Sequence, residues 1–360
     1  MDSSSADRSS ASARALARVK SFTLTPRQYV YVAWAGLVAF TLIVTTGAAV
    51  RLTGSGLGCP EWPKCYGKAY PPLNTHALIE FSNRTITVPV TIVAIAAWVL
   101  AFRRRPYRRD LMWIALLLPL GVVAQAVLGG LTVEGKLAYG WVMGHFALSI
   151  ALIFAAWTLV WRSMHEPAEQ AAREPQSRDA TLLWSSRALV VLGAATIFAG
   201  TAATAAGPHA GGEPGQRISR LTFDGRGTMD FVIHRHSEIA IAFGLLALAL
   251  WALAHYRDAN AEVRRATTVT CTLLAAQGVV GAVQYETHLP TELVWVHVSL
   301  ACLVWIAALW TCSAAALPSA RTARSPAHEH AVAPGVGALA PNGAPASEGL
   351  IASPQAPAST

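Results

Sequence analysis

The sequence predicts an all-α integral membrane fold, with eight transmembrane helices arranged as two pseudo-symmetric four-helix bundles. Three observations carry that expectation. The 360 residues are 53% hydrophobic and 13% charged, against roughly 25% charged in ordinary soluble domains. Apolar runs recur near 29–50, 77–102, 111–132, 138–161, 182–206, 231–255, 266–285 and 292–316, and a helix needs about 20 such residues at 1.5 Å each to cross a hydrocarbon core. The second half of the chain also repeats the first. Lipid offers no partners to backbone N–H and C=O groups, so runs of this length must be helical; membrane strands would be shorter and alternating.

Residues 1–27 are polar and Ser/Ala-rich and read as a disordered cytoplasmic N-terminus. The first apolar run is too long for a signal-peptide core and has no clear cleavage site, so it is expected to remain as an anchor. Residues 28–165 make the N-terminal half, 166–181 a cytoplasmic linker and 182–317 the C-terminal half. Residues 318–360 are rich in Ala, Pro, Gly and Ser and read as a disordered cytoplasmic tail.

A net charge of +8 is compatible with nucleic-acid binding until the basic residues are placed. Arg103, Arg104, Arg105, Arg108 and Arg109 share one short loop, and Arg257, Arg264 and Arg265 another, whereas the alternate loops hold Lys64, Lys68, Lys136, Arg217, Arg220 and Arg226. That asymmetry follows the positive-inside rule, puts both termini in the cytoplasm and argues against nucleic acid. A bacterial plasma membrane is the expected location.

The repeat is legible residue by residue. Ala124-Gln125 recurs as Ala276-Gln277, Gly129 as Gly281, Glu134 as Glu286 and His145 as His297, each pair 152 positions apart. Asn83-Arg84 matches His234-Arg235 at a separation of 151, and Gly47 and Gly54 match Gly200 and Gly207 at 153. An even number of helices per half returns the chain in the same orientation, so the halves should be related by an axis along the membrane normal, as in some transporters.

Ionisable residues inside a span are expensive and mark functional sites by default. The second half holds His234, Arg235, His236 and Glu238 in its second helix and His297 in its fourth; the first half holds Glu80, Asn83, Arg84 and His145. His234 and His297 lie a few residues in from the outer helix ends, at similar depth. Two imidazoles at one level can ligate one haem iron from opposite sides in a bundle core. His236 is the alternative to His234; about 200° separates them around the helix, so they cannot face the same iron. His234 is preferred because its neighbour Arg235 aligns with Arg84.

In the first half His145 is kept, but the residue aligned with His234 is Asn83, a poor iron ligand, which leaves one axial position open. Glu80 lies one turn before Asn83 on the same face, where a carboxyl moves protons beside a reacting group or simply neutralises Arg84 at i,i+4; both readings stand. Arg51, Arg84 and Arg235 either meet haem propionates or snorkel to the interface. Cys59 and Cys65, in a Pro/Gly-rich outer loop facing an oxidising compartment, are expected to form a disulfide, as a staple or as a redox pair. Cys271, Cys302 and Cys312 fall in apolar helices as small packing residues.

Residues 29–316 resemble the haem A synthase family. The resemblance rests on Thr46-Gly-Ala-Ala-Val-Arg51-Leu-Thr-Gly-Ser-Gly-Leu before the Cys-Pro-Glu-Trp-Pro-Lys-Cys loop, on Glu80-Phe-Ser-Asn83-Arg84, on Gly207-Pro-His209-Ala-Gly and on the two later histidines. It implies haem b in the C-terminal half, ligated by His234 and His297, and haem O as substrate in the N-terminal half, bound by His145 with Asn83 and Arg84. It also implies oxidation of a ring methyl to a formyl group by successive hydroxylation, with Glu80 as the catalytic acidic residue. The implied partners are haem O synthase (protohaem farnesyltransferase), the cytochrome oxidase assembly route, an electron donor the sequence does not name, and further copies of the chain. Two features depart from the family: Asn83 stands where many members have histidine, and the third outer loop lacks a second cysteine pair. A non-catalytic b-type cytochrome and a four-plus-four helix carrier are the competing classes.

Overall fold

Eight helices of 25 to 29 residues, each long and apolar enough to cross a membrane, make up the computed structural model, which describes residues 22–167, 179–213, 215–223 and 227–317. They are α1 (Pro26–Leu52), α2 (Thr75–Ala101), α3 (Arg109–Glu134), α4 (Tyr139–Met164), α5 (Ala180–Ala206), α6 (Thr228–Tyr256), α7 (Ala261–Glu286) and α8 (Thr291–Ala315). The stretch to residue 21, the tail from 318 and residues 168–178 of the linker lie outside the described residues; Ala180 and Thr181, expected in the linker, already belong to α5.

Several helices start a few residues before their apolar stretch, at a capping residue. Thr25 and Gln28 form a reciprocal capping box at α1, with Pro26 in the first turn. Asn74, Asp179 and Asn260 accept first-turn N–H groups at α2, α5 and α7. The cap at Asn260 starts α7 five residues before the apolar run at 266, taking Arg264 and Arg265 into its first turn and a half. Pro89 and Pro119 sit inside α2 and α3.

The helices close into two rings of the same connectivity. In the first, α1 packs on α2, α2 on α3, α3 on α4 and α4 back on α1; in the second, α5 to α8 repeat that order. The rings meet through α8 against α1 and α4, and α4 against α5. Lipid is as apolar as leucine, so helix association here rests on close packing and hydrogen bonds rather than on the hydrophobic effect. Ala77, Ala94, Ala97 and Ala101 accordingly form most of the buried face of α2, and the Tyr29 hydroxyl donates to the Ala97 carbonyl at 2.9 Å. Between rings, the indoles of Trp305 and Trp157 donate to the Ile150 carbonyl and to Ser313 Oγ at 3.2 and 3.1 Å.

The Arg-rich loop does more than set topology. Arg104 is fully buried, ion-paired to Glu166 after α4, and donates to the Pro106 carbonyl. Arg108 pairs with Asp110 at 2.6 Å and donates to the carbonyls of Arg162 and His165 at the end of α4, at 2.7 and 3.0 Å. These guanidinium groups satisfy the acceptor-rich C-terminus of a helix. Arg104→Ala removes a buried cation from its partner and is expected to cost about 3 kcal/mol; thermal unfolding of the detergent-purified protein checks this, and an unchanged midpoint would show that the clasp carries no weight.

Candidate functional site

In the second half, α6 and α8 bring two imidazoles together. The rings of His236 and His297 stand 6.3 Å apart, centroid to centroid, at 72° to one another. Their separation admits one metal ion between the two rings at metal–nitrogen distances of about 2 Å. His236 Nδ1 donates to the Thr196 carbonyl of α5 at 3.0 Å. That bond fixes the tautomer and leaves Nε2 with its lone pair, the arrangement expected of a metal-ligating histidine.

Glycine on the neighbouring helix makes room for each ring. A Cβ on Gly200 would lie 3.1 Å from His236 Cε1, and one on Gly281 3.1 Å from His297 Cε1. His297 Nδ1 is buried without a hydrogen-bond partner, a polar atom left for a group that occupies the bundle interior. Among the described residues no cluster of three or more His, Cys, Asp or Glu side chains is present to hold a bare metal ion. Two facing histidines suit a metal that brings its own equatorial ligands, as haem iron does.

The expectation that α6 turns His234 toward His297 is corrected. His234 is exposed, with Nδ1 donating to the Asp230 carbonyl one turn back at 2.7 Å. Two residues amount to about 200° of helix, so only one of the pair faces inward, and it is His236. The register explains the error. Asn83 and His236 are 153 positions apart, as are Gly47 and Gly200, and a Cβ on Gly47 would lie 3.8 Å from Asn83 Nδ2. The match of Asn83-Arg84 to His234-Arg235 is two residues out. Arg235 instead pairs with Glu238 on the exposed face at 2.5 Å.

The first half repeats this plan with one change. His145 lies over Gly129, whose Cβ would be 3.4 Å from Cε1, and His145 Nδ1 is buried and unpartnered. Gln125 Nε2 donates to the His145 carbonyl at 3.1 Å, as Gln277 does to that of His297. Asn83 holds the place of His236, and its Oδ1 accepts from the Thr46 hydroxyl at 2.8 Å. Sequence reasoning quoted Thr46 only within a motif and missed Thr196; a threonine in an apolar helix ordinarily returns its hydroxyl to its own backbone, and the Thr196 contact is made by a backbone carbonyl that any residue would supply.

Glu80 is buried and fully engaged. Its carboxylate pairs with Arg84 at 2.5 Å and accepts the Cys59 N–H at 2.7 Å. Arg84 also donates to the carbonyls of Glu61 and Lys64 at 3.0 and 3.2 Å. The pair therefore neutralises itself and clamps the outer loop to α2. Cys59 and Cys65 form a disulfide in that loop, both sulfurs fully buried against Ala77 and Phe81. Trp62 of the same loop packs on Gly130, one residue from the glycine under His145.

Arg51 lies at the seam of the halves, not at a histidine. Its guanidinium donates to the carbonyls of His209 and Thr204 at 2.9 and 3.2 Å, carrying the end of α1 onto the third outer loop. Gly56 N–H completes the join at the Gly211 carbonyl, 2.8 Å away, and Gly54, at φ +69°, leaves no space for a Cβ beside Gly212. A cavity of about 670 Å³ opens between these loops beside Gly54, Pro208 and Arg217. It is lined by none of His145, His236 or His297, and marks the outer rim, not the chemistry.

The family described as cytochrome oxidase assembly protein matches residues 30–78 and 74–309. Heme A synthase of Bacillus pumilus is 36% identical over 115 residues, 31% of this chain and 35% of that protein. Heme A synthase of Shouchella clausii is 28% identical over 270 residues, 69% of this chain and 84% of that protein. A Thermus thermophilus protein named protoheme IX farnesyltransferase is 27% identical over 295 residues, 76% of this chain and 46% of that protein. The chain thus spans only about a third of the length of the first of these relatives.

Burial of both sulfurs predicts that a water-soluble phosphine followed by maleimide leaves Cys59 and Cys65 of the folded protein unlabelled, whereas the same treatment after denaturation labels both, alongside the free Cys271, Cys302 and Cys312. Mass analysis reads the difference. Rapid labelling of the folded protein would mean that the loop opens freely and would favour the redox reading over the staple.

Proposed function

Because the chain belongs to the cytochrome oxidase assembly protein family, we propose that it is a haem A synthase, oxidising the ring methyl of haem O to the formyl group of haem A by successive hydroxylation. The observation that carries the reading is the repeated histidine plan with one position changed, paired imidazoles in the second half and a single one in the first. The relatives named Heme A synthase support the same activity.

In this reading haem b lies between His236 and His297, and haem O binds in the first half at His145. A haem b held by His236 and His297 would supply one-electron transfer, and a substrate haem held at His145 would supply the iron for oxygen chemistry. The protein's own contributions are specific. Thr196 holds His236 in the tautomer that presents Nε2. Gln125 and Gln277 fix the backbone of the two α4 and α8 histidines. Gly47, Gly129, Gly200 and Gly281 give the rings and the amide their space. Arg84 locks the lid of the first-half site through the carbonyls of the disulfide loop.

Glu80, the catalytic acidic residue in this reading, acts by position rather than as a free base: its carboxylate, held by Arg84 and the Cys59 N–H, fixes that guanidinium and the disulfide loop beside the substrate site. A farnesylating enzyme that makes haem O is the source of substrate, and terminal oxidase assembly consumes the product. The electron donor reaches haem b from outside the chain, and copies of the chain associate in the membrane. In this reading both termini lie in the cytoplasm of a bacterial plasma membrane, an orientation the arginine-rich loops support.

Co-expression with a haem O synthase, followed by extraction and chromatography of the haems, tests the activity. Hydroxylated and formyl haem are expected, and haem O alone would leave a plain b-type cytochrome. His236→Ala and His297→Ala are expected to abolish the low-spin haem b spectrum, while His234→Ala keeps it. His145→Ala and Glu80→Gln should keep haem b and lose turnover at least tenfold. Loss of haem b in His234→Ala with retention in His236→Ala would reverse the ligand assignment.

A further inference from the structure

Asn83 sits where the second half has a histidine, and its orientation is set by a neighbour the second half lacks. Its amide faces the hydroxyl of Thr46 on α1, 2.8 Å from Oδ1. That hydroxyl has one proton and two acceptors in reach, Asn83 Oδ1 and the Ile43 carbonyl at 3.2 Å. The nearer, better-placed acceptor takes it, so the carbonyl side of the amide is bound to α1. The NH2 group is left beside Gly47, at 3.8 Å from where a Cβ would stand. In the second half the same register positions, Gly200 and His236, border the space in front of His297.

We propose that Asn83 is a hydrogen-bond donor on the side of the substrate haem opposite His145, with Thr46 as the positioning residue that aims it. The inference rests on the proposed first-half haem site. An amide nitrogen carries no free lone pair and does not ligate iron, but it has two N–H groups. A donor at that place stabilises a small anionic or polarised ligand at the open coordination position without filling the position itself, and distal donors of this kind are what separate ligand binding from simple electron transfer in haem pockets. One substitution relative to His236 thus converts a saturated site into one that is open and polar. Thr46 makes the difference durable, since an amide without it is free to turn its oxygen inward and repel the same ligand.

Carbon monoxide and azide are the probes, used on the full-length protein purified with haem O bound. A bis-histidine haem b takes up neither, so both report on the first half, and the haem b spectrum serves as an internal control of folding. In Asn83→Leu the infrared C–O stretch of the ferrous complex is expected to rise, and ferric azide affinity to fall about tenfold, the equivalent of roughly one hydrogen bond to a charged group. Thr46→Val should give a smaller change in the same direction with a broadened CO band.

Asn83→His should produce a second low-spin spectrum and abolish CO binding, because the position faces the iron. A C–O stretch that falls or stays in Asn83→Leu overturns the donor assignment while leaving the first-half haem site intact. CO binding by Asn83→His equal to the native protein overturns the placement. Absence of any CO-reactive haem that His145→Ala removes overturns the proposed function along with it.

Discussion

Nothing in a hydrocarbon core will hydrogen-bond a peptide group or an imidazole, and the architecture follows from that constraint. The backbone meets it by running as eight unbroken helices. Side chains meet it across helices, as when Tyr29 reaches Ala97, Trp305 reaches Ile150 and His236 reaches Thr196. Where no partner exists, as at Nδ1 of His145 and His297, the exception is repeated at the same place in both halves. A cost incurred twice at one register is a mark of function rather than of poor packing.

Glycine is the second recurrent device. Close approach of an imidazole to a helix backbone requires that the facing position lack a side chain, and Gly129, Gly200 and Gly281 each sit beneath a histidine ring. Gly47 does the same beneath Asn83. The glycines thus encode the positions of the site as firmly as the polar residues do. They also carry a register that is independent of which polar residue happens to face them.

That independence accounts for what the chain revealed and what it hid. The helices were legible because each apolar run is twice as long as a membrane strand needs, and the two rings because the match from Ala124 to His145 runs without a gap into Ala276 to His297. The inward residue of α6 was not, because the identity of Arg84 and Arg235 suggested a pairing that the glycines contradict, and a slip of two residues turns a helix more than half way round. Of the two readings open for Glu80, the neutralising pair with Arg84 is visible in the fold, although its second partner, the Cys59 N–H, lay beyond sequence reasoning. The bond from Thr46 to Asn83 joins two helices through a hydroxyl whose partner no spacing in the sequence announces.

The buried clasp at the inner face has a consequence for how such a chain is made. Arg104 leaves the insertion machinery well before Glu166, which follows it by 62 residues and two further spans. Until α4 has entered, the guanidinium has only its own loop and the headgroups for company. Its pairing with Glu166 needs α4 in place, so it closes only once the first ring is complete. The clasp therefore ties its charge balance to the completeness of one half alone, since both partners belong to the first ring and its flanking loops.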